Sequence, residues 1–319
     1  MIVVDRFDDP RIALFRNPKD AASRTSGDFL AVSDLVIARV FDSGCSIRAI
    51  LVSPRRYDRL APRIEVAQVA HKNLYGNHAE FSVFVCEQSI LEATVGFPLH
   101  RGCLAICHRP DLPSCEALLR DAKTVVVLDD VVDPDNIGSL FRHVAGFGAD
   151  AVVLSANAGD PLYRKSVRAS MGWVLEVPYT RLPTREGLLP SLYSSGFVTI
   201  ALTPSRDAPT LRSVVDSLQP TDRVALLLGA EAPGLSEYTM ANATYQARIP
   251  MTEHVDSLNV ATAGALALYE FTTAHPSRIV ARTAPPEFGE FDHSNEINSI
   301  NQANQANQVN QVNQANQQT

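Results

Sequence analysis

The residues best suited to chemistry fall in three short segments of the C-terminal half. They are Asn136-Ile137-Gly138-Ser139-Leu140-Phe141-Arg142, Leu228-Gly229-Ala230-Glu231-Ala232-Pro233-Gly234-Leu235, and Ile249-Pro250-Met251 followed by Ser257-Leu258-Asn259-Val260-Ala261. Each follows a run of β-branched or aliphatic residues that ends in a polar, glycine-bearing turn. Such turns are where an α/β sheet presents ligand-binding loops, at the carboxyl ends of its strands. Read jointly, the segments describe one ligand site.

Their side chains offer different chemistry. Asp133-Pro134-Asp135-Asn136 marks a strand-to-helix turn, and Asp135 or Asn136 is a natural N-cap there. Arg142 lies on the first turns of a helix otherwise made of Ile137, Leu140, Phe141, Val144 and Ala145. A guanidinium near the ligand edge of a sheet needs an anionic or carbonyl partner, and an RNA phosphate is a natural one. Gly229 directly follows an apolar strand, which allows positive φ and close backbone approach to a flat ligand. Glu231 either joins the site or simply caps or pairs with a nearby arginine. Pro250 stops a strand, and Ser257-Leu258-Asn259 opens a helix rich in small residues, Ala261, Ala263, Gly264, Ala265 and Ala267, which permit tight packing.

The elements that must position these residues can be read from periodicity. Residues 1–110 form a small α/β domain. In it a helical pattern runs from Phe29 through Val32, Leu35, Val36 and Val40 to Ser43-Gly44, followed by a strand over Ile47–Val52. Strands at Phe81–Val85 and Arg101–His108 complete a sheet with helical cover. The proline-bearing stretch 111–123 is a linker. Residues 124–281 alternate strand and helix: strand Thr124–Leu128, helix Ile137–Phe147 closed by Gly148, strands Ala151–Leu154, Val198–Leu202 and Arg223–Leu228, and a last helix from Asn259 to Phe271. That order is a doubly wound parallel sheet. Residues 282–319 turn to Pro, Glu, Asn and Gln with almost nothing to bury, which reads as a disordered tail without catalytic duty.

Composition narrows the setting. No stretch approaches the roughly 18 uninterrupted apolar residues of a membrane span, and Met1-Ile2-Val3-Val4-Asp5-Arg6 has no cationic start before an apolar core, so a cytoplasmic protein is expected. The five cysteines lack paired zinc spacing, and Cys103 and Cys107 share one face of a strand as small buried hydrophobes. The net charge of −7 argues against clamping nucleic acid by bulk electrostatics. The acidic excess belongs to residues 111–319, which hold 14 Lys+Arg against 23 Asp+Glu, whereas residues 1–110 hold 14 against 12. A polyanion would therefore need local basic patches. Arg55-Arg56 with Arg59 and Arg63, and Arg164-Lys165 with Arg168, are the candidates.

The three segments, in this order and spacing, resemble the SpoU (TrmH-like) family of RNA ribose methyltransferases in the SPOUT superfamily. Asp160-Pro161-Leu162-Tyr163-Arg164-Lys165-Ser166-Val167-Arg168-Ala169-Ser170-Met171-Gly172 is similar to a stretch common in its bacterial members. The likeness covers residues 124–271. A looser one, Phe29-Leu30 with the following helix, then Gly96-Phe97-Pro98 and His100-Arg101-Gly102, suggests the family's ribosomal-protein-like RNA-binding domain.

The resemblance implies a SPOUT-type parallel sheet with a deep trefoil knot, S-adenosylmethionine as cofactor, a homodimer, and methyl transfer to a ribose 2′-hydroxyl without a metal. An RNA-binding N-terminal domain favours rRNA, with tRNA or a catalytically silent RNA-binding role as the alternatives. By the same likeness Thr203, Gly229, Ile249 and Leu258 would contact the cofactor, and Asn136, Arg142, Glu231, Ser257 and Asn259 would form the reaction centre. Arg164, Lys165, Arg168, Arg55 and Arg56 would meet RNA. There are three departures from the family pattern: Ala232 stands for a frequent Gly, Ala261 for a frequent Ser, and Val32-Ser33 for Glu-Gly. A dinucleotide-type enzyme is disfavoured, because Asp133-Pro134-Asp135-Asn136-Ile137-Gly138 does not supply the required glycine-rich turn.

Overall fold

The computed structural model describes residues 1–16, 27–76, 81–96, 99, 102–184 and 186–276. Phe97, Pro98, His100 and Arg101 of the looser likeness, and the 282–319 tail, lie outside the described residues. The N-terminal part holds β1 (Ile2–Val3), β2 (Asp28–Val32), α1 (Asp34–Ser43), β3 (Ile47–Val52), α2 (Pro54–Tyr75), β4 (Ser82–Val85), α3 (Gln88–Val95) and β5 (Cys103–His108). After α4 (Cys115–Leu119) come β6 (Thr124–Asp129), α5 (Pro134–Phe147), β7 (Ala151–Leu154), α6 (Arg164–Ala169), β8 (Tyr179–Arg181), α7 (Leu188–Ser194) and β9 (Phe197–Leu202). The chain continues through α8 (Leu211–Ser217), β10 (Arg223–Gly229), α9 (Glu237–Asn242), β11 (Tyr245–Ala247) and α10 (Val260–Ala274).

The first sheet is mixed, in the order β1-β4-β3-β5-β2. Here the structure corrects the helix expected to begin at Phe29. Phe29, Leu30 and Ala31 are consecutive and all buried, so they need an element covered on both faces, and they form strand β2, antiparallel to β5. The helix starts only after Ser33, whose φ of 94° breaks the strand and whose Oγ accepts from the Val36 amide at 3.4 Å. The backbone thus keeps a conformation that favours glycine, at the position where the resembled family carries Gly. Cys103 and Cys107 are thiols buried in the apolar core, where burial pushes the Cys107 thiol well above its usual range. A protonated, enclosed thiol is no nucleophile.

The second sheet has six strands in the order β11-β9-β10-β6-β7-β8, with every neighbouring pair parallel. Uniform direction brings the carboxyl ends of β6, β9, β10 and β11 to one edge, and Gly229 pairs in register with Asp129 at the end of the central pair. The three chemistry-bearing segments leave the sheet along that edge. Two helices cover it closely because they lack side chains where they touch. A Cβ on Gly264 of α10 would lie 2.5 Å from Leu140 Cδ2 and 2.9 Å from Leu228 Cδ1. One on Gly138 of α5 would lie 2.5 Å from the Ser166 carbonyl oxygen and 2.6 Å from Ala169 Cβ.

Both sheets belong to one compact unit, Met1–Arg282. Two arginines join them. The Arg39 guanidinium of α1 lies 3.5 Å from the centre of the Trp173 ring, donates to the Met171 carbonyl at 3.0 Å and pairs with Glu176. Arg109 reaches Asp160 with two bonds, at 3.1 and 2.7 Å, and donates from Nε to the Asp28 carbonyl at 2.9 Å. Half-buried, multiply bonded guanidinium groups of this kind hold orientation far better than exposed ion pairs do.

The glycines of α5 give a paired test of packing. Gly138→Ala is expected to lower stability by about 1–3 kcal/mol through overpacking. Gly146→Ala, where nothing lies within 4 Å of the added Cβ, is expected to raise it by about 0.5–1 kcal/mol through helix propensity. Urea denaturation of both variants checks the contrast.

Candidate active site

The first segment starts from an N-cap that the sequence reading misplaced. Neither Asp135 nor Asn136 caps α5; Asp133 does, its Oδ1 accepting from the amides of Asp135 at 2.9 Å and Asn136 at 3.0 Å. Pro134 at the first helical position needs no such partner, so the earlier residue suffices. The Asn136 side chain is thereby released, and at 7% exposure it must find partners of its own.

It finds them on the other two segments. Asn136 Nδ2 donates to Glu231 Oε1 at 2.6 Å, while Asn136 Oδ1 accepts from Asn259 Nδ2 at 2.8 Å. Asn259 Nδ2 also lies 3.3 Å from Glu231 Oε1, closing a triangle. The Asn259 amide is aimed there by its own oxygen, which caps α10 by accepting from Ala261 N at 2.9 Å and Thr262 N at 3.2 Å. Among the described residues Glu231 therefore neither caps a helix nor pairs with an arginine; its partners there are two amides.

The triangle borders a cavity of about 410 Å³ lined by the β9 end (Leu202, Thr203, Pro204), the 228–235 turn, Ile249, Met251 and Ser257–Val260 with Ala263. Its volume and mostly apolar wall suit a small organic ligand. Glu231 is the one ionisable side chain in that lining. Gly229 has a different reason to be glycine than the one expected. Its φ is not positive; instead the turn folds back so tightly that a Cβ there would stand 2.3 Å from Leu235 N and 2.4 Å from the Gly234 carbonyl carbon. The close approach is by its own chain.

The cavity thus brings together Thr203, Gly229, Glu231, Ile249, Ser257, Leu258 and Asn259, with Asn136 tied in by hydrogen bonds. Arg142 stands apart. It is on the third turn of α5, exposed, with no hydrogen bond or ion pair among the described residues, so the protein itself supplies no anionic or carbonyl partner there. Its exposed position removes the need for one, because water solvates the guanidinium. Beside it, burial lowers the pKa of the half-buried His143, with a backbone hydrogen bond to Ala261 opposing that shift and Arg142 adding to it.

The basic candidates also divide. Lys165 pairs with Asp135 at 2.7 Å, next to Asn136, and Arg168 is exposed on the same short helix as Arg164. Of the four arginines singled out on α2, Arg55 alone has no ion pair among the described residues: Arg56 and Arg59 converge on Asp34 at 3.0 and 3.9 Å, and Arg63 pairs with Asp42 at 2.6 Å. That cluster is largely neutralised in place, which composition counts cannot show. Leu202, Pro204, Met251 and Leu235 were not assigned as cavity walls, although the rule that parallel strands present ligands at their carboxyl ends points to Leu202 and Pro204 beside Thr203 at the end of β9. Among the described residues no helix is long and apolar enough to cross a membrane, and no group of three or more His, Cys, Asp or Glu is placed to hold a metal.

The chain is similar to known proteins in sequence and in fold. Residues 123–269 match the model of the SpoU rRNA Methylase family. An uncharacterised tRNA/rRNA methyltransferase of Mycobacterium bovis is 37% identical over 270 residues, which is 83% of this chain and 89% of that protein. Among solved structures, an S-adenosylmethionine-bound rRNA methyltransferase from Sinorhizobium meliloti aligns with a TM-score of 0.71 at 22% identity, over 85% of this chain and 97% of the other. An RNA 2′-O ribose methyltransferase aligns at 0.63 and 22%, over 86% and 99%. At these identities the structures speak for the fold.

Asn259 offers a test of the triangle's geometry. Asn259→Ala is expected to cost about 0.5–2 kcal/mol through the lost α10 cap alone, whereas Asn259→Asp keeps the capping oxygen but sets its other oxygen against Asn136 Oδ1 and Glu231 Oε1, so that its remaining deficit reports the lost amide donor. A urea series on the two variants separates the cap from the amide.

Proposed function

The chain belongs to the SpoU family of RNA methyltransferases, and on that premise we propose that it transfers a methyl group from S-adenosylmethionine to a ribose 2′-hydroxyl of RNA. The observation that carries this reading is the Asn136–Glu231–Asn259 triangle at the rim of the cavity. The lining fits the cofactor: mostly apolar walls, and one carboxylate with no cation, which suits a ligand bearing a sulfonium. Thr203, Gly229, Ile249 and Leu258 would hold it, largely through backbone groups. When bound, S-adenosylmethionine supplies an already activated methyl group.

The protein's part is then mainly orientation. Asn136, Glu231, Ser257 and Asn259 form a polar rim against which a ribose can be set, with the amides and carboxylate fixed by one another. Arg142 is a poor proton acceptor, since its pKa lies above about 12. Its exposed place on α5 supports a role in binding RNA phosphate and orienting the hydroxyl, with proton loss assisted by the local field or by the substrate's own phosphate.

Further parts of the reading have their own support. The tight return of the chain over Gly229 agrees with a deep trefoil knot around the cavity. Leu266 and Tyr269, 40% and 55% exposed on α10, offer apolar surface that a second copy would cover in a homodimer. Residues 1–110 would serve as the RNA substrate-binding domain, with 111–123 as linker and 124–281 as the methyltransferase domain, and Arg55, Arg56, Arg164, Lys165 and Arg168 would meet the RNA backbone. By fold analogy, such an N-terminal module favours rRNA over tRNA.

Titration with S-adenosylmethionine followed by transfer of its labelled methyl group to RNA tests the reading. Absence of binding would sink it, and binding without transfer would favour a silent RNA-binding member. Arg142→Ala is expected to cut the rate of transfer by at least about 100-fold while leaving cofactor affinity unchanged. Mapping ribose methylation by mass spectrometry in cells with and without the gene identifies the nucleotide.

A further inference from the structure

Among the described residues six aromatic side chains of Phe or Tyr are exposed: Phe7, Tyr75, Tyr163, Tyr193, Tyr238 and Tyr269. Most are already occupied or badly placed for a polyanion. Tyr75 donates to the Gly44 carbonyl at 2.8 Å, Tyr193 bonds Asn242 and Thr199, and Tyr269 packs edge-on against Phe147 at 6.4 Å. Phe7 lies between the paired Arg6 and Asp8, and Tyr238 follows Glu237. Tyr163 differs: it is 37% exposed, with neither a ring contact nor a hydrogen bond from its hydroxyl among the described residues. It is also followed at once by Arg164 and Lys165, with Arg168 one turn on.

The backbone beneath it is built to stay still. Arg181 of β8 shares Nη1 among the carbonyls of Ser155, Ala156 and Ala158 at 3.0, 3.1 and 2.6 Å, and gives Nη2 to the Gly159 carbonyl at 2.7 Å. Asp160 accepts from the Leu162 amide at 3.0 Å while held by Arg109, and the Tyr163 amide donates to the Asp160 carbonyl at 3.1 Å. The Lys165–Asp135 pair then fixes this segment beside Asn136. An aromatic ring on a rigid support, open to solvent and flanked by cations, is the arrangement that binds unpaired bases. Every base has a stackable face, and the neighbouring cations take up the phosphates.

From this we infer that Tyr163 is a stacking platform for an unpaired base of the RNA, next to the nucleotide being modified, with Arg168 on the adjoining phosphate. The inference rests on the methyltransferase reading only for the identity of the modified nucleotide; the binding itself does not require catalysis. It also commits the enzyme to a single-stranded or flipped-out segment at this point, since a base within a duplex offers no free face.

A single-stranded oligoribonucleotide carrying 2-aminopurine, titrated against the full chain and its variants, provides the test. Wild-type protein should quench the fluorophore on binding. Tyr163→Ala should lose the quench and bind about 5- to 150-fold more weakly, the loss of one stacked base. Tyr163→Phe should retain both, and Arg168→Ala should weaken binding and flatten its salt dependence while keeping the quench at saturation. A Tyr163→Ala protein that binds and quenches like wild type overturns the inference, as does a wild-type protein that neither binds nor quenches. Wild-type quenching without transfer of a methyl group to any RNA would instead defeat the catalytic reading and leave Tyr163 as a binding residue.

Discussion

Asn136 is the one buried corner of the amide–carboxylate triangle, and much of the site follows from having to satisfy it. A buried primary amide that loses its partners costs about 1–3 kcal/mol, so the two exposed corners, Glu231 and Asn259, are drawn to it across 95 and 123 residues of chain. The Asp133 cap makes this possible by taking over the backbone work that Asn136 would otherwise do. Asn259 divides its single amide group in the same way, oxygen to α10 and nitrogen to the triangle. Local helix termination and long-range assembly are thereby settled by the same few atoms.

The parallel sheet sets the stage for that meeting. Because all its strands run one way, their carboxyl ends, and the turns that leave them, share an edge regardless of the order in which the chain visits them. The close contact of Gly264 with Leu140 brings α10 near enough to α5 for side chains as short as asparagine to touch, while Gly138 seats α5 against α6. A longer side chain at Gly264 would separate α5 from α10 before the amides could reach each other.

Much of this was legible beforehand, for identifiable reasons. Strands β3 and β7 were delimited correctly because β7 is a continuous apolar run and β3 one broken only at Arg48, each closed by turn residues, and the edge that carries the cavity was found because parallel strands end in glycine-bearing turns. Phe29, Val32, Val36 and Val40 misled, because a strand followed by a helix can imitate helical spacing across the joint; only the burial of Phe29, Leu30 and Ala31 together separates the two. The three-residue strands β8 and β11 are too short to show a period. The choice among Asp133, Asp135 and Asn136 as cap turned on a competition between neighbours that residue types leave open. The ion pairs of the basic cluster on α2 were not legible because Asp34 and Asp42, which face it, lie 20 or more residues away in the chain.

Arg181 holds the loop after β7 by its carbonyls, and every residue type has a carbonyl. The side chains of Ala156 and Asn157 contribute nothing to those bonds, so at these two positions the loop's shape is insulated from its own sequence. Drift at positions 156 and 157 can proceed without moving Asp160 or the segment beyond it, whereas Ser155, bonded to Asp130, and Gly159, packed on Ile137 and Val132, are held by contacts of their own. Drift at position 181 cannot, since no other natural side chain presents so many donors in one plane.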